Sequence, residues 1–202
     1  MTADAYAELA ADVLRRPARF GDARLVCVDG PSGAGKSSLA TALAAAITAA
    51  LRTPVPVIRI DDHLDGWGDQ FTFWDRLERQ VLGPLRRGEP ATYRPYNWDL
   101  RRFGDVTVTV EPAPVVILEG VSSARAAARA ESTLTIFVAA PRELRTRRLV
   151  DRDGPGVLPY LDAWQQGEDR HFAEDATAHH VDLLVDGATG YVRRGGNRPA
   201  GP

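Results

Sequence analysis

The amino-acid sequence predicts an α/β fold in which a parallel sheet of five strands carries helices on both faces. Short apolar runs alternate along the chain with longer segments of helical periodicity, an order typical of parallel sheets. Most of these runs are continuously apolar, as expected for strands that are buried on both faces. A chain of 202 residues is long enough for one such domain with a sizeable core.

The strands are expected at the short apolar runs. In chain order these runs lie at 25–28, 55–60, 115–118, 134–138 and 181–185. Alternation of Val with Thr over 106–110 predicts a further, more exposed strand.

Helices are predicted between these strands, and their periodicity and end signals locate them. They are expected at 3–16, at about 36–51, at about 74–87, from Pro141 onward, and at about 159–178. Proline suits a first helical position because that residue needs no N–H. The aromatic-rich stretch YRPYNWD lies in the long connection after 88.

The predicted domain organisation is simple. Residues 1–20 hold an N-terminal helix, and residues 21–188 form the main domain with a short helical lid at about 145–160. Residues 189–202 are rich in Gly and Pro and are expected to be a disordered tail.

Composition excludes several classes of protein. The net charge is −2 and the sequence pI about 6.1, so there is no basic field for nucleic-acid binding. No apolar run approaches the roughly 20 residues that cross a bilayer, and no leader segment is recognised. The lone cysteine, Cys27, fits a reducing compartment, so a cytoplasmic location is expected. Association of identical copies is left open.

The segment from Gly30 to Ser37, GPSGAGKS, fits the pattern G-x-x-x-x-G-K-[ST] at every fixed position. It follows an apolar strand and opens an Ala-rich helix, the context of a phosphate-binding P-loop in the three-layer fold of P-loop NTPases. Its lysine, Lys36, is the only lysine among 25 basic residues. Lys36 is expected to contact the β- and γ-phosphates, and Ser37 to bind Mg²⁺, so the predicted cofactors are ATP and Mg²⁺.

The predicted nucleotide-binding residues are the loop, the start of the following helix and one arginine of the lid: Gly30, Ser32, Gly33, Ala34, Gly35, Lys36, Ser37, Ser38 and Arg145.

Acidic residues follow two of the predicted strands. Asp61 and Asp62 come directly after one strand and Glu119 after another, and the carboxyl ends of parallel strands meet at one ligand-binding edge. Asp61 is predicted to be the base that accepts a hydroxyl proton and, with Ser37 and Glu119, to lie around Mg²⁺. A helix N-cap for the aspartates and a surface acid for Glu119 are the structural alternatives.

Three arginines of the predicted lid recur at helical spacing. Arg145, Arg148 and Arg152 share one face ahead of a Gly-Pro-Gly hinge, which suits neutralisation of charge in a transition state. Arg148 and Arg152 are therefore predicted catalytic residues, and a solvated basic face is the alternative.

The acceptor is expected to bind among aromatic residues between the second and third predicted strands of the sheet. No second His or Cys stands near His63 at metal-ligand spacing, so we do not expect zinc. The predicted acceptor contacts, each with a structural alternative, are Asp62, His63, Asp69, Tyr96, Asn97 and Arg101.

The ordered set of motifs resembles the uridine kinase family of P-loop nucleoside kinases over about residues 24–186. The resemblance rests on GPSGAGKS, DDHL, PYNWD, VVILEG and RELRTRRLVDRD, which are similar to successive segments of that family. It implies that Asp61 is the catalytic base, that Ser37 and Glu119 lie near Mg²⁺, and that Tyr96 contacts a nucleoside. Arg148 and Arg152 fall near the family's phosphate-contacting arginines, with the register shifted by a residue.

Two segments depart from that family. Residues 98–101, WDLR, stand where the family places a base-contacting histidine, and residues 153–156, DGPG, replace the Arg-Gly-Arg of its lid. The expected function is thus that of a kinase for a small hydroxyl acceptor. A nucleoside is the favoured class of acceptor, but these departures do not favour uridine over other nucleosides. A nucleotide, a pantothenate-like alcohol or an antibiotic hydroxyl is the alternative acceptor, and a slowly hydrolysing switch is the alternative class.

Overall fold

The computed structural model describes residues 1–196. Its strands are β1 (Arg24–Asp29), β2 (Val57–Arg59), β3 (Ala91–Tyr93), β4 (Tyr96–Asn97), β5 (Arg102–Phe103), β6 (Val108–Val110), β7 (Val115–Glu119), β8 (Ser132–Ala139), β9 (Leu183–Asp186) and β10 (Val192–Arg194). Its α-helices are α1 (Ala3–Arg15), α2 (Lys36–Leu51), α3 (Trp74–Leu77), α4 (Gly83–Arg86), α5 (Ala126–Arg129), α6 (Arg142–Asp153), α7 (Leu158–Asp175) and α8 (Thr177–His180).

The main sheet has the strand order β10-β9-β8-β1-β7-β2. The five strands from β9 to β2 are parallel, as predicted, and β10 pairs with β9 in the antiparallel direction. The sheet therefore has six strands, and the expected number of five was wrong.

The sixth strand lies in the segment that was expected to be a disordered tail. A tight turn reverses the chain after β9: Gly190 adopts φ +75° and its N–H bonds to the carbonyl of Asp186 at 2.7 Å. The Asp186 side chain also accepts from the Ala188 N–H and the Thr189 hydroxyl, both at 2.8 Å. This turn lets β10 cover the edge of β9, which would otherwise expose unpaired backbone groups. Residues 197–202 of the predicted tail lie outside the described residues.

Alternate residues of β1 enter two cores, one on each face of the sheet. Leu25 and Cys27 pack on the side of α3 and α4, while Val26 and Val28 pack on the side of α1 and α2. All four side chains are at most 1% exposed. This burial on both faces explains why the strand is continuously apolar.

The predicted helix at 74–87 is interrupted by one π-helical turn, Glu78–Leu82, between α3 and α4. Pro84 lies two residues after this turn, and a proline cannot donate the backbone hydrogen bond that an α-helix needs there. The wider turn accommodates the missing donor.

Two small antiparallel sheets lie outside the main sheet. The Val/Thr segment forms β6, which pairs with β3 rather than joining the main sheet, and β4 pairs with β5 in a hairpin. The hairpin contacts the turn Ile60–His63 that follows β2. It therefore lies beside the carboxyl ends of the parallel strands, where the candidate site is formed.

Within residues 1–196, none of the helices combines the length and the apolar character that crossing a membrane requires.

Candidate active site

The P-loop, residues 30–37, joins β1 to α2 and is closely packed. Gly30, Gly33 and Gly35 have φ of +131°, +76° and +107°, conformations that favour glycine. A Cβ on Gly30 would lie 2.0 Å from the carbonyl oxygen of Val138, and one on Gly33 would lie 2.6 Å from that of Arg145. The end of β8 and the helix α6 thus pack closely against the loop at these glycines.

Lys36 and Ser37 begin α2 at the positive end of that helix. The Lys36 ammonium is mostly buried and donates to the carbonyl of Pro31 at 3.1 Å, across the loop. The Ser37 hydroxyl donates to Oε1 of Glu119 at 3.0 Å. The loop and the end of β7 therefore meet at a hydroxyl, a carboxylate and an ammonium group.

The Glu119 side chain is buried, with 5% of its surface exposed. Burial raises its pKa, and the nearby charge of Asp61 acts in the same direction, whereas Lys36, Ser37 and Arg59 favour the carboxylate. The Arg59 side chain lies 3.9 Å from Oε1 of Glu119. A cation bound beside Glu119 would offset the cost of holding this carboxylate charged.

The oxygen atoms of Ser37 and Glu119 fit Mg²⁺, which prefers hard ligands and often takes only one or two from the protein. Among residues 1–196, no group of three or more His, Cys, Asp and Glu side chains forms a candidate metal site. The residues present thus suit a Mg²⁺ ion whose other ligands are phosphate oxygens and water.

Asp61 and Asp62 lie in the turn after β2, and their side chains have different surroundings. Asp61 is exposed, and its charge contributes to the pKa shifts of both Glu119 and Arg152. Asp62 is partly buried, accepts a hydrogen bond from the Tyr93 hydroxyl at 3.3 Å, and has a pKa raised chiefly by burial. Asp61 is therefore the more open of the two carboxylates, and Asp62 is the one engaged by the protein.

The three arginines that were predicted to line a lid lie on α6 and have different partners. Arg145 is 5% exposed and pairs with Glu168 at 3.2 Å, while Arg148 donates to the carbonyl oxygens of Gly33, Ala34 and Gly187. Both guanidinium groups thus hold protein backbone or a protein carboxylate.

Arg152 is exposed and bonded to a neighbouring acid. It pairs with Asp153 at 2.6 Å, and that hydrogen bond raises its pKa, assisted by the charges of Asp61 and Glu119. Of the two arginines predicted to be catalytic, Arg148 therefore contacts the P-loop, whereas Arg152 is bonded to its neighbour Asp153.

His63 is buried beside Tyr93, with ring centroids 4.3 Å apart. Its Nε2 atom has no hydrogen-bond partner among the described residues. Burial, with a contribution from the Arg76 charge, lowers the pKa of His63 to about 4, so the ring is neutral at pH 7. A neutral imidazole with a free nitrogen could donate to or accept from a polar acceptor molecule.

Asp69, a predicted acceptor contact, is engaged by the protein. Its carboxylate binds Arg76 at 2.6 Å, the Asp65 N–H at 2.9 Å and the Thr72 hydroxyl. Burial alone would raise the pKa of Asp69, and these hydrogen bonds lower it overall. The carboxylate organises the segment before α3.

The hairpin residues differ in what they contact. Tyr96 is buried with its ring 5.1 Å from that of Trp98, and the Asn97 side chain accepts the Leu100 N–H at 2.9 Å, which closes the turn. Arg101 reaches the hydroxyl of Tyr160 at 3.4 Å. The hairpin thereby touches the start of α7.

Aromatic rings connect this hairpin with α7. The Trp67 ring stacks on Tyr160, with centroids 4.9 Å apart and planes at 5°, and packs edge-on against Trp98 and Trp164 at 5.2 Å each. Together they form a wall beside Asp61, whose backbone carbonyl accepts the Trp98 indole N–H at 3.3 Å.

A cavity of about 430 Å³ opens on the side of the P-loop that faces α1. It lies between the loop, α1 and the turn after β9, and its lining includes Met1, Tyr6, Ala34, Ser38 and Gly187. Its position next to the phosphate-binding loop suits the base and sugar of a nucleotide.

Asp29 and Glu168 are buried acids of the site that the motif analysis missed. Asp29 ends β1 and accepts the N–H groups of Gly30 at 2.6 Å and of Ser122 and Ala124 at 2.8 Å each. Its position directly before the P-loop could have identified Asp29 as a residue of the site from the sequence. Glu168 lies in the middle of α7, where nothing in the local sequence distinguishes it from a solvated helix residue.

No protein-family model matches the chain, and no curated protein matches it in sequence. Solved structures do match. One, described as a possible uridine kinase from Bacillus stearothermophilus, is 18% identical, with a TM-score of 0.66 over 91% of this chain and 98% of that one. A protein from Silicibacter sp. TM1040, whose description proposes a fructose transport system kinase, is 23% identical, with a TM-score of 0.57 over 87% and 95%.

A third structure, of the YGR205w protein, is 11% identical, with a TM-score of 0.55 over 87% of this chain and 91% of that one. At these identities the likeness shows the fold. The chain has the α/β P-loop fold of these proteins, and the predicted fold class is confirmed in all but the number of strands.

Proposed function

We propose that this protein is an ATP- and Mg²⁺-dependent kinase that transfers the γ-phosphoryl group to a hydroxyl of a small acceptor, with a nucleoside as the favoured class. The observation that carries the proposal is the meeting of Lys36, Ser37 and Glu119 at one edge of the sheet, with Asp61 beside them. Phosphoryl transfer needs little else from a protein than positioning and electrostatic stabilisation.

The roles of the residues follow from their positions. Backbone N–H groups of the P-loop and the Lys36 ammonium bind the phosphates, after Lys36 leaves the Pro31 carbonyl. Ser37 and Glu119 hold Mg²⁺, which supplies positive charge to the phosphate oxygens when bound. Asp61 accepts the proton of the acceptor hydroxyl, and Arg152 stabilises negative charge on the transferring group.

The aromatic wall around Trp67 and Trp98 supports a flat or ring-bearing acceptor. Stacking of aromatic rings favours a planar base or a sugar ring over an extended chain. The two neighbours described as kinases, one for uridine and one of a fructose transport system, are both compatible with a hydroxyl acceptor. A nucleotide or another small alcohol is the alternative acceptor.

The test is ADP release in the presence of Mg²⁺, ATP and a panel of acceptors that includes ribonucleosides, deoxynucleosides, nucleoside monophosphates, pantothenate and fructose. Release that rises with one acceptor and vanishes in Lys36→Ala supports the proposal and names the substrate. Slow release that no acceptor stimulates would favour the alternative of a nucleotide-dependent switch.

A further inference from the structure

One residue of the P-loop is held by groups from two helices of the lid region. Every polar group of Ser32 has a partner there: its N–H donates to Oε1 of Glu168 at 2.8 Å, and its hydroxyl accepts the indole N–H of Trp164 at 3.1 Å. Its carbonyl accepts from Arg145 at 3.4 Å. Trp164 and Glu168 belong to α7 and Arg145 to α6. We call these four residues the Ser32 clamp.

Glu168 is the centre of the Ser32 clamp. It is fully buried, and besides the Ser32 N–H it accepts the Trp164 indole N–H at 3.0 Å and the Arg145 guanidinium at 3.2 Å. A buried ion pair adds little net stability over apolar residues of the same size, because both charges must lose their water. Its presence at this position therefore calls for a role other than stability of the fold.

The same helix touches the acceptor side. The carbonyl of Trp164 accepts from the Gln70 side chain at 2.9 Å, and the Trp164 ring packs against Trp67. Gly167 lies so close that a Cβ there would be 2.2 Å from the Gln70 amide oxygen. α7 thus contacts Trp67 and Gln70 on the acceptor side and Ser32 of the P-loop.

We propose that Glu168 is a positioning residue for the nucleotide site: through Ser32 it fixes the P-loop in the form that binds phosphates. The Glu168 carboxylate is fully buried against Ser32, Trp164 and Arg145 and acts through the loop backbone. This inference rests on the proposed function, since it presumes that the loop binds a nucleotide. An N–H held at one end of a loop limits the rotation of the peptide groups that follow it, and misplaced N–H donors bind an anion weakly.

The test is the Kd for Mg²⁺·ADP, measured by calorimetry on the full chain at one temperature well below the unfolding midpoints. Glu168→Gln keeps the shape but replaces one acceptor oxygen by a donor, so it cannot serve Ser32, Trp164 and Arg145 together. We expect the Kd to rise about tenfold, the size of one hydrogen bond to a charged group. Trp164→Phe keeps an aromatic ring and loses the indole N–H, and we expect a rise of about threefold.

The matched control is Asp169→Asn. Asp169 is the next residue of α7 and pairs with Arg142 of α6, so it also links the two helices, but both side chains are exposed and neither is bonded to the loop. We expect this variant to keep the Kd of the unsubstituted protein. A purely structural role for Glu168 would lower the thermal midpoint of its variant and leave the Kd unchanged.

Each outcome decides something. An unchanged Kd in folded Glu168→Gln overturns the inference alone. If that variant does not fold because Arg145 loses its partner, Trp164→Phe decides, and an unchanged Kd there overturns the inference. No binding of Mg²⁺·ADP by the unsubstituted protein would overturn the proposed function together with the inference.

Discussion

Replacement of Asp29 by asparagine should change how stability depends on pH. Asp29 ends β1 and joins the P-loop to the segment after β7, because its carboxylate accepts three backbone N–H groups. Those hydrogen bonds and the charge of Lys36 lower its pKa, but burial outweighs them and raises the pKa from 3.8 to about 6. The asparagine side chain of the Asp29→Asn variant has the same shape and does not titrate in this range.

The sign follows from proton binding. Between pH 3.8 and about 6 the folded protein keeps the Asp29 proton while the unfolded chain loses it, so this residue makes stability fall as pH rises. The two pKa values correspond to a total of about 3 kcal/mol, of which about 2 kcal/mol falls between roughly pH 4.5 and pH 7.5. The substitution also places an amide against the Ala124 N–H, which costs about 1–3 kcal/mol at every pH.

The assay is urea unfolding of both proteins at the two pH values. The free energy of unfolding of Asp29→Asn should lie below that of the unsubstituted protein at both, and the deficit should be about 2 kcal/mol smaller at the higher pH. Other titrating groups, His63 among them, are common to both proteins and cancel in this difference. A deficit that is the same at both pH values would refute the raised pKa of Asp29.

Three further predictions concern other parts of the site. Asp61→Asn should leave the Kd for Mg²⁺·ADP within about twofold and lower kcat by about 10²-fold or more. Asp62→Asn should keep most of the rate. If Asp62→Asn loses the rate and Asp61→Asn keeps it, Asp62 is the base. Glu119→Gln should raise the Mg²⁺ concentration for half-maximal turnover about tenfold, and an unchanged Mg²⁺ titration would remove Glu119 from the metal site. Gly187→Ala brings a Cβ to 1.9 Å from a P-loop carbonyl oxygen, so it should lower the stability measured by thermal unfolding by about 1–3 kcal/mol and weaken ADP binding. The control is Gly156→Ala, whose Cβ would lie in open space and which should change neither quantity.

Local sequence was enough to predict the strand β1, the P-loop and the helix α2. The apolar run, the glycines and the Ala-rich segment each favour one local structure, and the helix occurs at 36–51 as predicted. Burial of β1 on both faces explains why its boundaries could be predicted within a residue of those observed.

The strand at 192–194 and the hairpin at 96–103 could not be predicted from short-range patterns. β10 has three residues, two of them charged, and is held by pairing with β9. β4 and β5 have two residues each. In segments this short, pairing and the neighbouring turns decide the structure, because intrinsic strand preference is weak.

The sequence by itself determined the parallel α/β architecture and the P-loop, because both depend on local periodicity and local motifs. It also determined that the acids lie at the strand ends, because parallel strands end at one edge of the sheet. It also placed three arginines on one helical face. Only the tertiary structure decided what they meet: Arg145 pairs with Glu168, which is 23 residues away, Arg148 donates to loop carbonyls, and Arg152 stays exposed beside Asp153. Helical spacing sets the direction of a side chain from its own axis, whereas its partner depends on which distant segment folds against that face.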